Sequence, residues 1–362
     1  MKHWKETAEI FARAAQLHEA GRKVAIATVV RIEGSAYRRP GAKFLVDAGG
    51  GVSGSISGGC LEADVREIAL RVIRENAPTL LHYDTGADDH SVWGLGLGCS
   101  GAIDVFVQPI EAPPTRETAD RVRELLAGES PFAVSTVIQG PAYVGSVLVV
   151  SADGAAAGST GDAALDREIV REGSQLLSRR ETKLHAASGA EVFTEIFVPP
   201  PHLVIFGAGD DAIPLCAYAA DVGFRVFVVD HRGGYLAASR FPAASRLISL
   251  RPEEGTSSLP FGPNDYAVVK THSFAHDREW VRRLLATGVA YVGVVGPRAR
   301  TRKLLEEIGA ASTDRIFAPV GLDLGAEGPE QVAFAIVAEL LAVRSSRDPA
   351  SLREKQGTIH AG

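Results

Sequence analysis

The chain has 362 residues, 46% hydrophobic and 23% charged, with a formal net charge of −6. That length exceeds what one ordinary core fills, so two or more domains are expected. The acidic balance, with no basic block, argues against broad binding to nucleic acid or anionic membranes. No stretch reaches the ~20 apolar residues of a membrane span, and three cysteines do not make a disulfide framework.

The first 21 residues carry no apolar signal core, which points to a cytoplasmic location. Trp4, Ile10, Phe11, Ala14 and Leu17 fall near helical spacing, so an amphipathic helix opens the chain. An N-terminal α/β domain is expected over residues 1–198, containing an internal repeat with copies at about 22–110 and 131–198. "VAIATVV" (24–30) resembles "FAVSTVI" (132–138), and "FLVDAGGGVSGSISG" (44–58) resembles "VLVVSADGAAAGSTG" (147–161), at an offset of 103. A helical run follows in each copy, then a closing strand, "IDVFVQP" (103–109) against "TEIFVPP" (194–200). Each copy therefore reads as strand, glycine turn, strand, helix, strand, the hairpin of the first turning at Gly49 to Gly51. The first copy holds about twelve extra residues, in or near "HYDTGADDHSVWGLGLGCSG".

The cysteines belong to the first copy. Cys60, in "SGSISGGCLE", aligns with Ala163 at that offset, and Cys99, in "GLGLGCSGA", has no counterpart. Gly58 and Gly59 let the chain bend into the helix, placing Cys60 at or near its first turn. Backbone N–H groups there would favour a thiolate. Arg38 and Arg39 would add positive charge, and Glu62 would oppose it or act as a base. Gly98 and Gly101 flank Cys99 and permit close backbone approach to a ligand. Several readings stay open: a thiolate pair touching a soft metal or sulfur-bearing ligand, a zinc site completed by His82 and His90, a cysteine nucleophile, or small residues packed in turns.

Pro199 to Pro201 form a stiff linker. A doubly wound, Rossmann-like parallel sheet is expected over 202–345, with a polar, fraying tail at 346–362. An apolar strand (203–206) meets Gly207-Ala208-Gly209 and a helix. The next strand ends at Asp230, 23 residues after Gly207, at the spacing of a ribose-binding acid. Further strands are read at 266–271, 291–296 and 316–321, which puts His272 on the same rim as the glycine turn. Asp210 and Asp211 suit a helix N-terminus but would repel a diphosphate. Cys216, within "AIPLCAYAA", reads as core.

Taken together, "GSAYRRPGAKFLV", "GSISGGCLEADV", "GLGLGCSGAIDVFVQP", "GAGDDAIPL", "VVKTHSF" and "YVGVVGPRARTRKLL" resemble the xanthine dehydrogenase accessory protein family (XdhC/CoxI), over residues 10–345. The resemblance implies a chaperone for the molybdenum cofactor, molybdopterin or a dinucleotide form of it. Such a chaperone supports sulfuration with a cysteine desulfurase and insertion into a molybdenum hydroxylase such as xanthine dehydrogenase. It also implies a homodimer, no turnover of its own, and Cys60 and Cys99 as contacts to the molybdenum cofactor. Ser100 where the family often has glycine, and Asp210 where it often has His or Pro, are departures. The alternative is an NAD(P)-dependent oxidoreductase using Gly207, Gly209, Asp230 and His272.

Overall fold

The computed structural model describes residues 2–34, 38–84, 101–111, 115–140, 143–309 and 313–354. The chain is α/β and divides into two compact units, Lys2–Pro199 and Pro200 onward.

In the first unit, α1 (Lys2–Glu19) leads into β1 (Val24–Gly34), β2 (Lys43–Asp47), β3 (Val52–Gly54), α2 (Glu62–Glu75), β4 (Thr79–Asp84) and β5 (Gly101–Pro109). After α3 (Thr115–Ala127) the series recurs as β6 (Phe132–Gln139), β7 (Val147–Ser151), β8 (Ala156–Ala157), α4 (Ala163–Arg179), β9 (Lys183–Ala187) and β10 (Ala190–Phe197). The two sheets have matching orders, β3-β2-β1-β5-β4 and β8-β7-β6-β10-β9, with antiparallel pairing. The repeat is thus one of topology.

Alternation along β1 decides its neighbours, because successive side chains leave opposite faces. Ala25, Ala27 and Val29 pack with Val65, Ala69 and Val72 of α2. Val24 and Ile26 pack with Ile10, Ala14 and Leu17 of α1. The inner faces of the two sheets meet at Val30, Phe106, Ile138 and Phe193. Trp4 joins Val122, Leu126, Phe132 and Phe197, its indole N–H donating to the Leu126 carbonyl at 3.1 Å.

Two expectations change, and the extra residues fall where the sequence put them. Each copy has five strands, not three: β4 and β9 are partly exposed edge strands whose alternation is weak. The turn bonds and Gly54/Gly158 contacts set the offset at 104 rather than 103 through the loop and helix. Cys60 therefore corresponds to Ala164, and Glu62 to Asp166. The extra residues are the β4–β5 connection, sixteen residues (85–100) where β9 and β10 are joined by Ser188-Gly189 alone.

The second unit runs β11 (His202–Phe206), α5 (Ala212–Asp221), β12 (Arg225–Asp230), β13 (Arg246–Ser249), β14 (Tyr266–Val269), α6 (Phe274–Leu285), β15 (Tyr291–Val294), α7 (Arg298–Ile308), β16 (Ile316–Phe317) and α8 (Gly328–Arg344). Its sheet, β13-β12-β11-β14-β15-β16, is parallel throughout. Leu203 and Ile205 of β11 face a core with α5 and α8. Val204 and Phe206 face Trp280, Leu284 and Leu304 of α6 and α7. A strand covered on both faces reads as a continuous apolar run. The short edge strand β13 has no such run and was not expected. β14 also ends at Val269, which leaves Lys270, Thr271 and His272 in the strand-end loop.

Candidate functional site

Residues 55–61 connect β3 to α2 and carry Cys60, which is exposed. Glu62, the first residue of α2, organises this loop. Its carboxylate accepts from Ser55 Oγ at 2.9 Å, and from the backbone N–H groups of Ile56 (3.1 Å), Ser57 (3.0 Å), Gly58 (3.2 Å) and Gly59 (2.9 Å). It also takes a short bond from Ser57 Oγ. Burial alone would raise its pKa, but these donors outweigh burial and bring it down to about 2. Glu62 is accordingly not the base the sequence allowed. It is the anchor around which the thiol loop folds. Gly58 and Gly59 adopt φ 89° and 120°, the left-handed region that suits glycine. Space beside Gly59 is open: an added Cβ would meet nothing within 4 Å.

Cys60 lies just outside the helix, since Leu61 is the N-cap. Around it the amides of residues 56–59 donate to Glu62 and that of Leu61 to Ser57 Oγ at 2.9 Å, while no side chain caps the first turn of α2. In the second copy Asp166 plays the same anchoring part, taking Ser159 Oγ at 2.5 Å and the N–H and Oγ1 of Thr160 at 2.8 and 2.6 Å. There Asp162 also caps α4, accepting from Ala164 and Leu165 N–H. The matching position in the first copy is Gly58. The first copy has therefore exchanged a capping carboxylate for glycine and an alanine for cysteine on a shared loop.

Arg38 is held by Glu6 of α1 at 2.5 Å and is only 18% exposed, so its charge is committed. Arg39 precedes the turn into β2, its carbonyl accepting from Ala42 N–H at 3.1 Å. Glu6, Glu9, Arg13, Arg38 and Ser55 line a groove of about 440 Å³, and Ser55 is shared with the thiol loop. Gly101 opens β5 against Gly34, where a Cβ would fall 1.9 Å from the Glu33 carbonyl oxygen. Close strand packing accounts for that glycine. Gly98, Cys99 and His90 lie outside the described residues. His82 binds Asp104 at 2.6 Å, and Asp104 also meets Arg31. Among the described residues no cluster of three or more His, Cys, Asp or Glu is placed to hold a metal. Cys216 is core as expected, 1% exposed, its thiol pushed up to about 11 by burial.

In the second unit the sheet reverses direction of growth between β11 and β14, the usual ligand crevice of such folds. Gly207, φ 115°, packs against the loop that follows β14, where a Cβ would lie 2.5 Å from the Lys270 carbonyl oxygen. The two acids beside it behave differently. Asp210 turns outward, 92% exposed, and pairs with Arg240 at 2.6 Å. Asp211 folds back: Lys270 Nζ lies at 2.6 Å and His272 Nε2 at 3.0 Å. Burial raises the Asp211 pKa, and its two partners more than reverse this. His272 does share the rim with the glycine turn, from a left-handed backbone with φ 60°. Asp230 accepts from Ala208 N–H at 2.8 Å and from Arg232 Nε and NH2 at 3.0 and 2.8 Å. Burial opposes and these bonds dominate, bringing its pKa down to about 2. Its oxygens are thus engaged before any ribose arrives. Lys270, Arg232 and Arg240 were missed in the sequence; the one signal was a lysine closing the apolar run "YAVV".

The chain thus has a duplicated α/β unit with an exposed thiol, followed by a Rossmann-like unit with a polar crevice at its strand ends. A family model described as the XdhC Rossmann domain matches residues 203–340, and one described as the XdhC and CoxI family matches 17–84 and 125–186. The chain is 37% identical over 328 residues to a Bacillus subtilis (strain 168) protein described as a probable xanthine dehydrogenase subunit, covering 91% of this chain and 95% of that one. It is 31% identical to a crystal structure described as a xanthine dehydrogenase from Bacillus halodurans, with TM-score 0.77 and coverage of 94% and 97%. The uncharacterized protein YqeB of Escherichia coli (strain K12) is 27% identical over 241 residues, 60% of this chain and 44% of YqeB. The chain belongs to the XdhC and CoxI family.

Proposed function

We propose that this protein is an accessory factor that receives a molybdenum cofactor of the molybdopterin type as cargo. In this reading it supports the cargo's sulfuration with a cysteine desulfurase and delivers it to a molybdenum hydroxylase of the xanthine dehydrogenase kind. It acts as a cytoplasmic homodimer without turnover of its own. The names of the two Bacillus relatives support the link to xanthine dehydrogenase.

The observation that carries the reading is the exposed Cys60 on a tied-down loop whose counterpart in the second copy carries alanine and a capping aspartate. A thiol suits soft metals and sulfur-bearing groups, and the open space at Gly59 lets a flat ligand reach it. Cys99, also present in the first copy alone, is the second thiol of this reading. Glu62 holds the loop in one shape, so less ordering is required when the cargo binds. The alternative, an NAD(P)-dependent oxidoreductase, ranks second because Asp230 is engaged by Arg232.

The test is purification of Cys60→Ser and Cys99→Ser chains from cofactor-producing cells, with mass spectrometry of the bound pterin, metal analysis and a client-activation assay. Each variant should fold normally yet lose most retained cofactor and activation. Wild-type retention and activation in both variants would sink the reading.

A further inference from the structure

We propose that the groove between α1 and the β2–β3 hairpin holds the pterin ring of the cargo by its pyrimidinone edge. Glu9 accepts from the 2-amino and N3–H groups, and Arg13 donates to the neighbouring ring carbonyl. The inference rests on the accessory-factor reading and adds to it a contact that does not involve the thiols. The groove has a volume of about 440 Å³, within the range of small-molecule sites. Its charges decide what it can take. Arg38 in its wall is held by Glu6 at 2.5 Å. Lys43 also lines it and is held by Glu195 at 2.6 Å, both side chains being buried. Glu9 and Arg13 balance each other, so the groove as a whole is neutral. A phosphate or a metal ion meets no net opposite charge there. A neutral ring with donors and an acceptor along one edge meets a partner for each.

Glu9 and Arg13 are the pair left open. They stand four residues apart on α1, the spacing at which opposite charges on a helix bond to each other. Here Arg13 instead donates to Gln16 Oε1 at 3.4 Å, and Glu9 has no polar partner among the described residues. A carboxylate takes two parallel hydrogen bonds from adjacent N–H groups. In a pterin the 2-amino group and N3–H are such a pair, and a ring carbonyl follows on the same edge. Carboxylate then guanidinium along one helix matches that order. A Cβ added at Gly54 would lie 2.8 Å from Ile10 Cδ1, so hairpin and helix meet at the groove through bare backbone and one apolar side chain. That is a flat surface for a ring face. Ser55 lines the groove and opens the loop that carries Cys60. The ring is read by α1, and the sulfur-bearing end of the cargo is left for the thiol loop.

The experiment is fluorescence titration of the full chain with pterin and with lumazine, which has a carbonyl in place of the 2-amino group. Wild type should bind pterin about tenfold more tightly, because the lumazine oxygen faces the Glu9 carboxylate with no proton between them. Glu9 is exposed, so Glu9→Gln should fold as wild type does. Its amide offers one donor and one acceptor, and the preference for pterin should fall below about threefold. Arg13→Gln should weaken both ligands alike, by about threefold. No pterin binding by wild type, equal affinity for the two ligands, full preference retained in Glu9→Gln, or unchanged affinity in Arg13→Gln would overturn the proposal. Neither probe carries metal or sulfur, so the titration is independent of the cysteine variants. Loss of cofactor in Cys60→Ser with no pterin binding by wild type overturns the groove and leaves the accessory-factor reading standing.

Discussion

Glu62 shows how one carboxylate shapes a functional loop. Its two oxygens collect four amides and two hydroxyls between Ser55 and Gly59. Glu62→Gln keeps one acceptor but turns an NH2 group toward donors, so it should cost about 1–3 kcal/mol, read by urea unfolding. The pH dependence follows from the lowered pKa. A group at about 2 when folded and 4.5 otherwise contributes fully above 4.5 and loses its contribution as pH falls toward 2. The stability gap between wild type and Glu62→Gln should therefore be flat at neutral pH and narrow steadily below 4.5. A gap that widened on acidification would contradict the assignment.

Among the elements, the β-hairpin and its following helix are the repeated unit, and glycine sets their geometry. Gly54 and Gly158 both sit at φ 89°, and an added Cβ would lie 2.4 Å from the Lys43 carbonyl oxygen and 2.1 Å from that of Val147. Gly54→Ala and Gly158→Ala should each destabilise the unit by about 2 kcal/mol or more, through left-handed backbone strain and displacement of the neighbouring strand. The helices differ. α4 is capped by Asp162, whereas α2 has no side-chain cap. Asp162→Ala should cost about 1 kcal/mol, while Gly58→Ala loses no cap and acts through the left-handed φ of 89° at the thiol loop. Thermal melts of the two variants would separate a capping loss from a strained loop.

At the scale of the molecule, a buried ion pair ties the two copies of the N-terminal unit. Lys43 of β2 meets Glu195 of β10 at 2.6 Å, and both side chains are buried. The ammonium also donates to the Gly41 carbonyl at 3.2 Å. Removing one partner strands the other charge, so Lys43→Met should cost about 3–5 kcal/mol. Lys43→Met with Glu195→Leu should recover most of that, because two apolar groups leave no charge unpaired. A double-mutant cycle by chemical denaturation measures the coupling; additive losses would show that the pair does not join the copies energetically. Among the described residues no helix is long and apolar enough to cross a membrane.

Local pattern was enough for much of this protein. Apolar runs, the glycine turns at Gly50 and Gly207, and the recurrence of "VAIATVV" as "FAVSTVI" are readable because strand burial and left-handed turns leave marks within a few residues. The thiol loop was visible as cysteine beside paired glycines. The edge strands β4, β9 and β13 were not, because a half-exposed strand of four to six residues has little alternation to show. The one-residue difference in repeat offset needed the hairpin hydrogen bonds of both copies. Side-chain partnership was least legible. Asp210 and Asp211 are identical neighbours in the chain, yet one meets Arg240 and solvent while the other meets Lys270 and His272. Glu62 read as a countercharge or a base and is the acceptor for four amides and two hydroxyls. Directional contacts depend on groups that only folding brings together, from segments 30 to 61 residues away in the case of the two aspartates, and no local sequence pattern carries that information.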